Sequence, residues 1–252
     1  MEIITVNQLV KMYNSYKGTK EAAALNCIDL TVSEGEFVGI MGPSGSGKTS
    51  LLNILSGVDK ATSGSVTIDQ RDITKMSKDE MALFRREKIG YIFQDFNLLD
   101  SLTLQENIAL PLILDKENPE VIEEKVNQLS AFLGIDSIQN KYPYQISGGQ
   151  KQRVAAARAL ANDPQVIFAD EPTGNLDSKS ATNVMNIMGD LNGKWNSTIV
   201  MVTHDPFAAS FCKRIVFIKD GQIEMELRSS GDRRIFFDRI LEAQSVVGGG
   251  RA

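Results

Sequence analysis

One stretch limits the possible folds more than any other part of the chain: Gly42-Pro43-Ser44-Gly45-Ser46-Gly47-Lys48-Thr49-Ser50. Before it stands EFVGIM (36–41), a continuous apolar run of strand length. After it comes KTSLLNILSG, where Leu51, Leu52, Ile54 and Leu55 keep helical spacing. The order is strand, glycine-rich loop, helix, and residues 42–49 fit G-x-x-x-x-G-K-[ST]. Glycines at these places let backbone N–H groups wrap the α- and β-phosphates of a nucleotide, with the helix N-terminus behind them. Lys48 supplies a point charge for the β- and γ-phosphates, and Thr49 a hydroxyl for Mg²⁺. The bland alternative is a glycine-rich turn with no ligand. The strand before and the helix after weigh heavily against it.

The rest of the chain reads as an α/β core interrupted by helices. Residues 3–12 and 24–32 are short strands with partial alternation, and GSVTID and KIGYIFQ are further strands. Between those two lies an Arg/Lys/Glu-rich helix at about 78–87. From 95 to 162 helical patterns dominate, over 103–113, 118–133 and 148–161, with punctuation at Pro111, Pro119, Gly134 and Pro143. Strands return with QVIFAD, STIVMVTH and RIVFIKDGQIEMEL, the last carrying Asp-Gly between two apolar runs, a hairpin signal. The tail GDRRIFFDRILEAQSVVGGGRA reads as an amphipathic helix with a glycine-rich end. We therefore expect one domain. Residues 1–94 and 163–226 form a P-loop core with an antiparallel β region, 95–162 a helical subdomain, and 227–252 a C-terminal helix and tail.

Composition narrows the partners. A net charge of −5 and a pI of about 5.1 lack the basic excess of a duplex-binding surface, so nucleic acid is not the expected partner. The two cysteines, Cys27 and Cys212, stand among small or apolar neighbours and read as buried free thiols of a reducing compartment. MEIITVNQLVKMY carries no signal-peptide pattern, and IALPLIL (108–114) is far too short to span a bilayer. A soluble cytoplasmic protein is expected, reaching a membrane only through a partner.

Several residues are placed to act with the loop. VIFADEP (166–172) ends an apolar strand in Asp170 and Glu171. Asp170 is expected to hold the Mg²⁺ through its water shell, and Glu171 to orient or deprotonate the attacking water. His204, the only histidine, ends a strand expected beside the one that carries Asp170. It is either a hydrogen-bond partner of the γ-phosphate or simply a strand-end polar residue. Gln94 ends YIFQ, where it is a candidate Mg²⁺ ligand. Tyr13 is either an adenine-stacking ring or a strand-end core aromatic. Ser147-Gly148-Gly149-Gln150 reads as an N-cap and the bare first turn of a helix, a second anion-binding end. Lying in the insertion, it suits a γ-phosphate held by another subunit.

Together these pieces resemble an ATP-binding-cassette (ABC) ATPase. The P-loop, Gln94, Ile146-Ser147-Gly148-Gly149-Gln150, Asp170-Glu171, Asn175-Leu176-Asp177 and His204 occur in the family's order across essentially the whole chain. The family pattern has Leu where Ile146 stands, an apolar residue either way. The resemblance implies a head-to-tail dimer of two copies with two ATP molecules sandwiched between one copy's P-loop and the other's signature helix, and Asp177 at the seam. More finely, IGYIFQDFNLLDSLTLQENIALPL, YQISGGQKQRVAAARAL and IFADEPTGNLDSKSA are similar to the cassettes of lipoprotein release and macrolide efflux. Within that subgroup they look closest to the Bce-type ATPases of Gram-positive bacteria, and DRRIFFDRILEAQSVVGGG resembles that family's C-terminal end. This implies a separate transmembrane permease, in several cases beside a sensor histidine kinase, and resistance to peptides such as bacitracin or lantibiotics. A lipoprotein-release or macrolide-efflux ATPase is the alternative. The permease is expected to dock near Gln94, and Phe96, Leu98, Leu99, Leu104 and Ile108 are each either contacts for it or internal packing of the insertion.

Overall fold

The computed structural model describes residues 1–13 and 22–248. The glycine-rich end of the tail, 249–252, lies outside the described residues. Strands β1 (Glu2–Tyr13), β2 (Ala22–Ser33), β3 (Phe37–Met41), β4 (Ser63–Ile68), β5 (Arg71–Asp72), β6 (Ile89–Ile92), β7 (Val166–Asp170), β8 (Thr198–Val202), β9 (Arg214–Lys219) and β10 (Gln222–Arg228) form two sheets. The smaller is antiparallel, in the order β2-β1-β4-β5. The larger runs β10-β9-β3-β8-β7-β6. In the larger sheet β9, β3, β8, β7 and β6 are parallel, and only β10 is antiparallel.

The apolar runs have no polar alternation because both faces of the larger sheet are covered. Their period of two instead sorts residues between two cores. Val38, Ile40, Phe168, Val200, Val202, Val216 and Ile218 face one side, while Phe37, Met41, Ile167, Ala169, Ile199, Met201 and Phe217 face the other. Against the first side pack the smaller sheet and helices α1 (Lys48–Leu55) and α2 (Lys78–Lys88). Against the second pack α3 (Leu104–Leu114), α4 (Pro119–Phe132), α5 (Gly148–Leu160), α6 (Ser178–Trp195), α7 (Pro206–Ala209) and α8 (Arg233–Gly248).

Helix starts follow side-chain chemistry. Ser77, Thr103 and Ser147 each accept from the backbone N–H three residues on, while Glu80, Glu106 and Gln150 return the bond, so α2, α3 and α5 open with capping boxes. Helix α6 was not read from the sequence, although its signals are there. Asp177 caps it, Ala181, Val184, Met185, Met188 and Leu191 form its buried stripe, and Asn196 ends it at φ +53°. At its end Trp195, the only tryptophan, lies 4.5 Å (ring centroids) from Phe132 at the end of α4. No helix among the described residues is long and apolar enough to cross a membrane.

Cys27 corrects an expectation. Cys212 is buried, but Cys27 is exposed. It sits at φ +53° where the pairing of β1 with β2 shifts register between Leu9–Ile28 and Lys11–Leu25. Such a bulge turns a residue out of the alternation its neighbours obey.

Candidate nucleotide site

The C-terminal ends of four parallel strands point the same way, the position where open α/β sheets bind ligands. β3 delivers the Gly42–Ser50 loop, β6 leads to Gln94, β7 ends in Asp170 and Glu171, and β8 leads to His204.

The loop is shaped for a ligand. A Cβ on Gly42 (φ +150°) would collide with the Ile218 carbonyl oxygen, and one on Gly47 (φ +104°) with that of Ala24. Gly45 (φ +77°) instead has nothing within 4 Å, and Pro43 and Ser44 are exposed beside it. Helix α1 starts at Lys48 with no side-chain cap, so its first N–H groups are left for another partner. The Ser46 hydroxyl is buried with no partner. Buried polar groups are rarely left so, and a hydroxyl here is placed to donate to an anion held by the loop. Lys48 is buried, its Nζ donating to the Pro43 carbonyl at 2.8 Å. Burial holds its ammonium below the ordinary lysine value, against the opposing charges of Glu171 and Asp170. Donors, cation and open space together fit a nucleoside triphosphate.

Asp170 and Glu171 are neighbours in sequence with different surroundings. Burial, then the charge of Glu171, pushes the Asp170 carboxyl up, while Lys48 pulls it down. Glu171 has φ +43°, a left-handed conformation that side chains with a Cβ seldom adopt. Its backbone N–H donates to the Val202 carbonyl at 2.9 Å, which pins it to the end of β8. Its Oε1 stands 3.0 Å from Nδ1 of His204, whose ring is otherwise exposed. Among the described residues no group of three or more His, Cys, Asp or Glu side chains is arranged to hold a metal ion by itself. The oxygens of Thr49, Gln94 and Asp170 would leave phosphate and water to complete a coordination shell, which suits Mg²⁺.

Gln94 lies against the segment after β7. A Cβ on Gly174 would come 3.0 Å from its Nε2, and Asn175 Nδ2 donates to the Gln94 carbonyl (3.3 Å) and to Asp95 Oδ1 (2.8 Å). From the other side Arg158 on α5 donates to the carbonyls of Asn97 (2.6 Å) and Phe96 (3.0 Å), both residues at positive φ. Arg158 was missed in the sequence, since nothing local marks an arginine whose partners are carbonyls some sixty positions away. Among the docking contacts weighed near Gln94, two are ruled out and belong to internal packing. Leu104 and Ile108 are fully buried in the helical core, because α3 turns its apolar stripe inward. Phe96 and Leu98 remain half-buried and Leu99 exposed. Beside them a cleft of about 440 Å³ opens, lined by Tyr91, Phe93, Asn97, Leu110, Leu114 and Arg158.

Tyr13 ends β1 with an exposed ring. Its hydroxyl donates to Asp59 Oδ2 (3.0 Å) and lies 3.3 Å from Ser50 Oγ, with Lys11 Nζ 4.7 Å from the ring centroid. Lys11 is itself buried, bound to Asp59 Oδ1 and the Lys60 carbonyl, each at 2.8 Å.

Ser147–Gln150 lies apart. No hydrogen bond or ion pair among the described residues joins it to Gly42–Ser50. Ser147 and Gln150 engage each other across the first turn of α5. Gly149 is buried, and a Cβ on it would meet Ser180 Oγ at 2.7 Å. Gly148 is freer, with Leu176 nearest at 3.4 Å. Asp177 accepts from Lys179 N and Ser180 N (3.0 Å each) and from Ser180 Oγ (2.6 Å), and the Ser180 hydroxyl foremost holds its carboxyl below the usual range. One chain therefore gathers Gly42–Ser50, Gln94, Asp170, Glu171 and His204 at the C-terminal ends of the larger sheet's strands, with Tyr13 of the smaller sheet beside Ser50. It places Ser147–Gln150 and Asp177 together elsewhere.

The ABC transporter family model matches residues 25–174, more than half of the chain. This chain belongs to the ABC transporter ATPases. It is 52% identical over 249 residues to the ABC transporter ATP-binding protein YvcR of Bacillus subtilis, covering 99% of this chain and 96% of that one. It is 50% identical to the bacitracin export ATP-binding protein BceA of Halalkalibacterium halodurans, covering 99% and 98%. Among solved structures, the ATP-binding cassette MJ0796 of Methanocaldococcus jannaschii, a dimer in a post-hydrolysis state bound to ADP and Pi, superimposes with a TM-score of 0.83. That match has 41% identity and covers 91% of this chain and all of that one. The ABC ATPase binds and hydrolyses ATP.

Proposed function

We propose that this ATPase works as a head-to-tail dimer of two copies, peripheral on the inner face of the cell membrane, and drives a separate transmembrane permease that confers resistance to bacitracin- or lantibiotic-like peptides. The observation that carries the peptide reading is the end-to-end match to the bacitracin export protein, which includes the C-terminal helix. The dimer reading rests on the separation within one chain of Ser147–Gln150 from Gly42–Ser50, and on the dimeric state of the MJ0796 relative. The partner's signature helix would bring to the γ-phosphate the Gly148 and Gly149 N–H groups that its capping box leaves over. The permease would dock at the cleft beside Phe96, Leu98 and Leu99, and a sensor histidine kinase is a further partner reached through it.

In this reading Gly42–Gly47 backbone N–H groups and Lys48 bind the phosphates, and Ser50 and Tyr13 stand at the nucleoside side. Thr49, Asp170 and Gln94 would hold Mg²⁺, which supplies positive charge to the β- and γ-phosphate oxygens. Glu171 orients the attacking water and accepts its proton, aimed by its pinned backbone and by His204. His204, fixed through Nδ1, keeps its other ring nitrogen for the γ-phosphate.

Glu171→Gln should cut turnover by about 10²- to 10⁴-fold while ATP binding is retained, measured by phosphate release and nucleotide titration. For the biological role, the gene is deleted from its host and complemented with wild type or Glu171→Gln. Bacitracin, a nisin-like lantibiotic and a control macrolide are then tested. Loss of peptide resistance restored only by wild type is the expected result. Unchanged peptide susceptibility rejects the peptide reading and favours lipoprotein release or macrolide efflux.

A further inference from the structure

We infer that the C-terminal helix α8 sets the position of His204, with Gln244 as the positioning residue. The inference rests on the reading of His204 as a group that acts at the γ-phosphate. The segment carrying His204 is short. β8 ends at Val202, His204 follows, and Asp205 caps the single turn of α7 by accepting from Phe207 N at 2.9 Å. A turn this small has little rigidity of its own. Helix α8 supplies a support. Phe236, Ile240, Ala243 and Val247 form one buried stripe, in the same core as Ala208 and Ala209 of α7 and Cys212 beyond it.

Two polar contacts fix the helix on this segment, one near each end. Near its start the Arg233 guanidinium lies 4.3 Å from the ring centroid of Phe211 and 5.8 Å from that of Phe207, and those two rings meet edge to face. Near its end Gln244 Nε2 donates to the His204 carbonyl at 3.4 Å. His204 is thus held twice, by its carbonyl from α8 and by its imidazole Nδ1 from Glu171. A hydrogen bond of that length is weak, and on its own it stabilises little. Catalytic groups nevertheless lose rate when displaced by fractions of an ångström, so a weak restraint can matter more to turnover than to stability.

The test uses the full chain. Gln244→Met keeps the size and removes the donor. Turnover should fall about three- to tenfold, the worth of one modest hydrogen bond, with the KM for ATP and the Tm unchanged. Arg233→Ala should lower turnover in the same way. Glu242→Ala, at an exposed position of the same helix that faces neither contact, should not. Because His204 is the only histidine, its imidazole NMR signals need no assignment. Gln244→Met should move them, and Glu242→Ala should leave them in place. In a His204→Ala background Gln244→Met should cost nothing further. Wild-type turnover in Gln244→Met, or a full additional loss in the double variant, overturns the inference. Wild-type turnover in His204→Ala alone instead rejects the role of His204 on which it rests.

Discussion

Glu171 is the residue whose backbone and side chain conflict most openly. Its left-handed φ costs about 1–2 kcal/mol for a residue with a Cβ, yet its carboxylate is aimed at His204 from just that conformation. Glu171→Gly should therefore leave stability unchanged or raise it by up to ~1 kcal/mol in urea unfolding while abolishing turnover, whereas Glu171→Val should lower both. Asp59 joins Tyr13 and Lys11 at the end of β1. Burial pushes its carboxyl up, but the Lys11 ammonium, the Lys60 amide and the Tyr13 hydroxyl together outweigh burial and hold it below the ordinary value of 3.8. A depressed aspartate contributes stability that is complete above its unfolded value and lost as pH falls through the folded one. Asp59→Asn should lower the Tm at pH 7 by about 2–4 °C, since it strips a buried ammonium of its counter-charge. The gap to wild type should close below the ordinary aspartate range, where Asp59 is neutral as well. The sequence marked Tyr13 as one of two things and gave Asp59 no role, because the bond between them spans two strands and a helix.

At the scale of elements, what was legible had a local cause. The P-loop, the strand ending in Asp170, the Asp-Gly hairpin and the capped helices are each written in a few consecutive residues, and all appear within a residue or two of where the pattern puts them. Helix α6 carries the same signals, its Asp177 cap and its buried stripe from Ala181 to Leu191. What could not be read is which face an element shows. Leu104 and Ile108 look the same in sequence whether they greet a partner or their own core. The latch on the Gln94 loop is also non-local, made by Asn175 from behind β7 and by Arg158 from α5. Burial pulls the Arg158 guanidinium below its usual value, so its bonds to the Phe96 and Asn97 carbonyls are what compensate its desolvation. Arg158→Met should cost about 1–3 kcal/mol in urea unfolding. It should also expose the Gln94–Leu99 stretch to limited proteolysis, with the Lys48 region unaffected.

At the scale of the whole molecule, the separated half-sites make a testable demand. Gly148→Asp adds a charge where a Cβ meets only ordinary contacts, so the fold should survive. Lys48→Ala removes the cation of the other half. Each variant alone should be inactive, but mixed in equal amounts they should regain part of wild-type turnover, because a heterodimer holds one site built from the two intact halves. No recovery on mixing would sink the shared-site reading. The tryptophan count then has a practical use. Trp195 ends α6, which packs beneath the large sheet, and its ring rests on Phe132 at the end of α4 in the helical insertion. A pivot of the insertion against the sheet would slide one ring over the other. The chain thus carries a native fluorophore at the seam between α6 and α4, whose emission would report a movement of one against the other without an added dye.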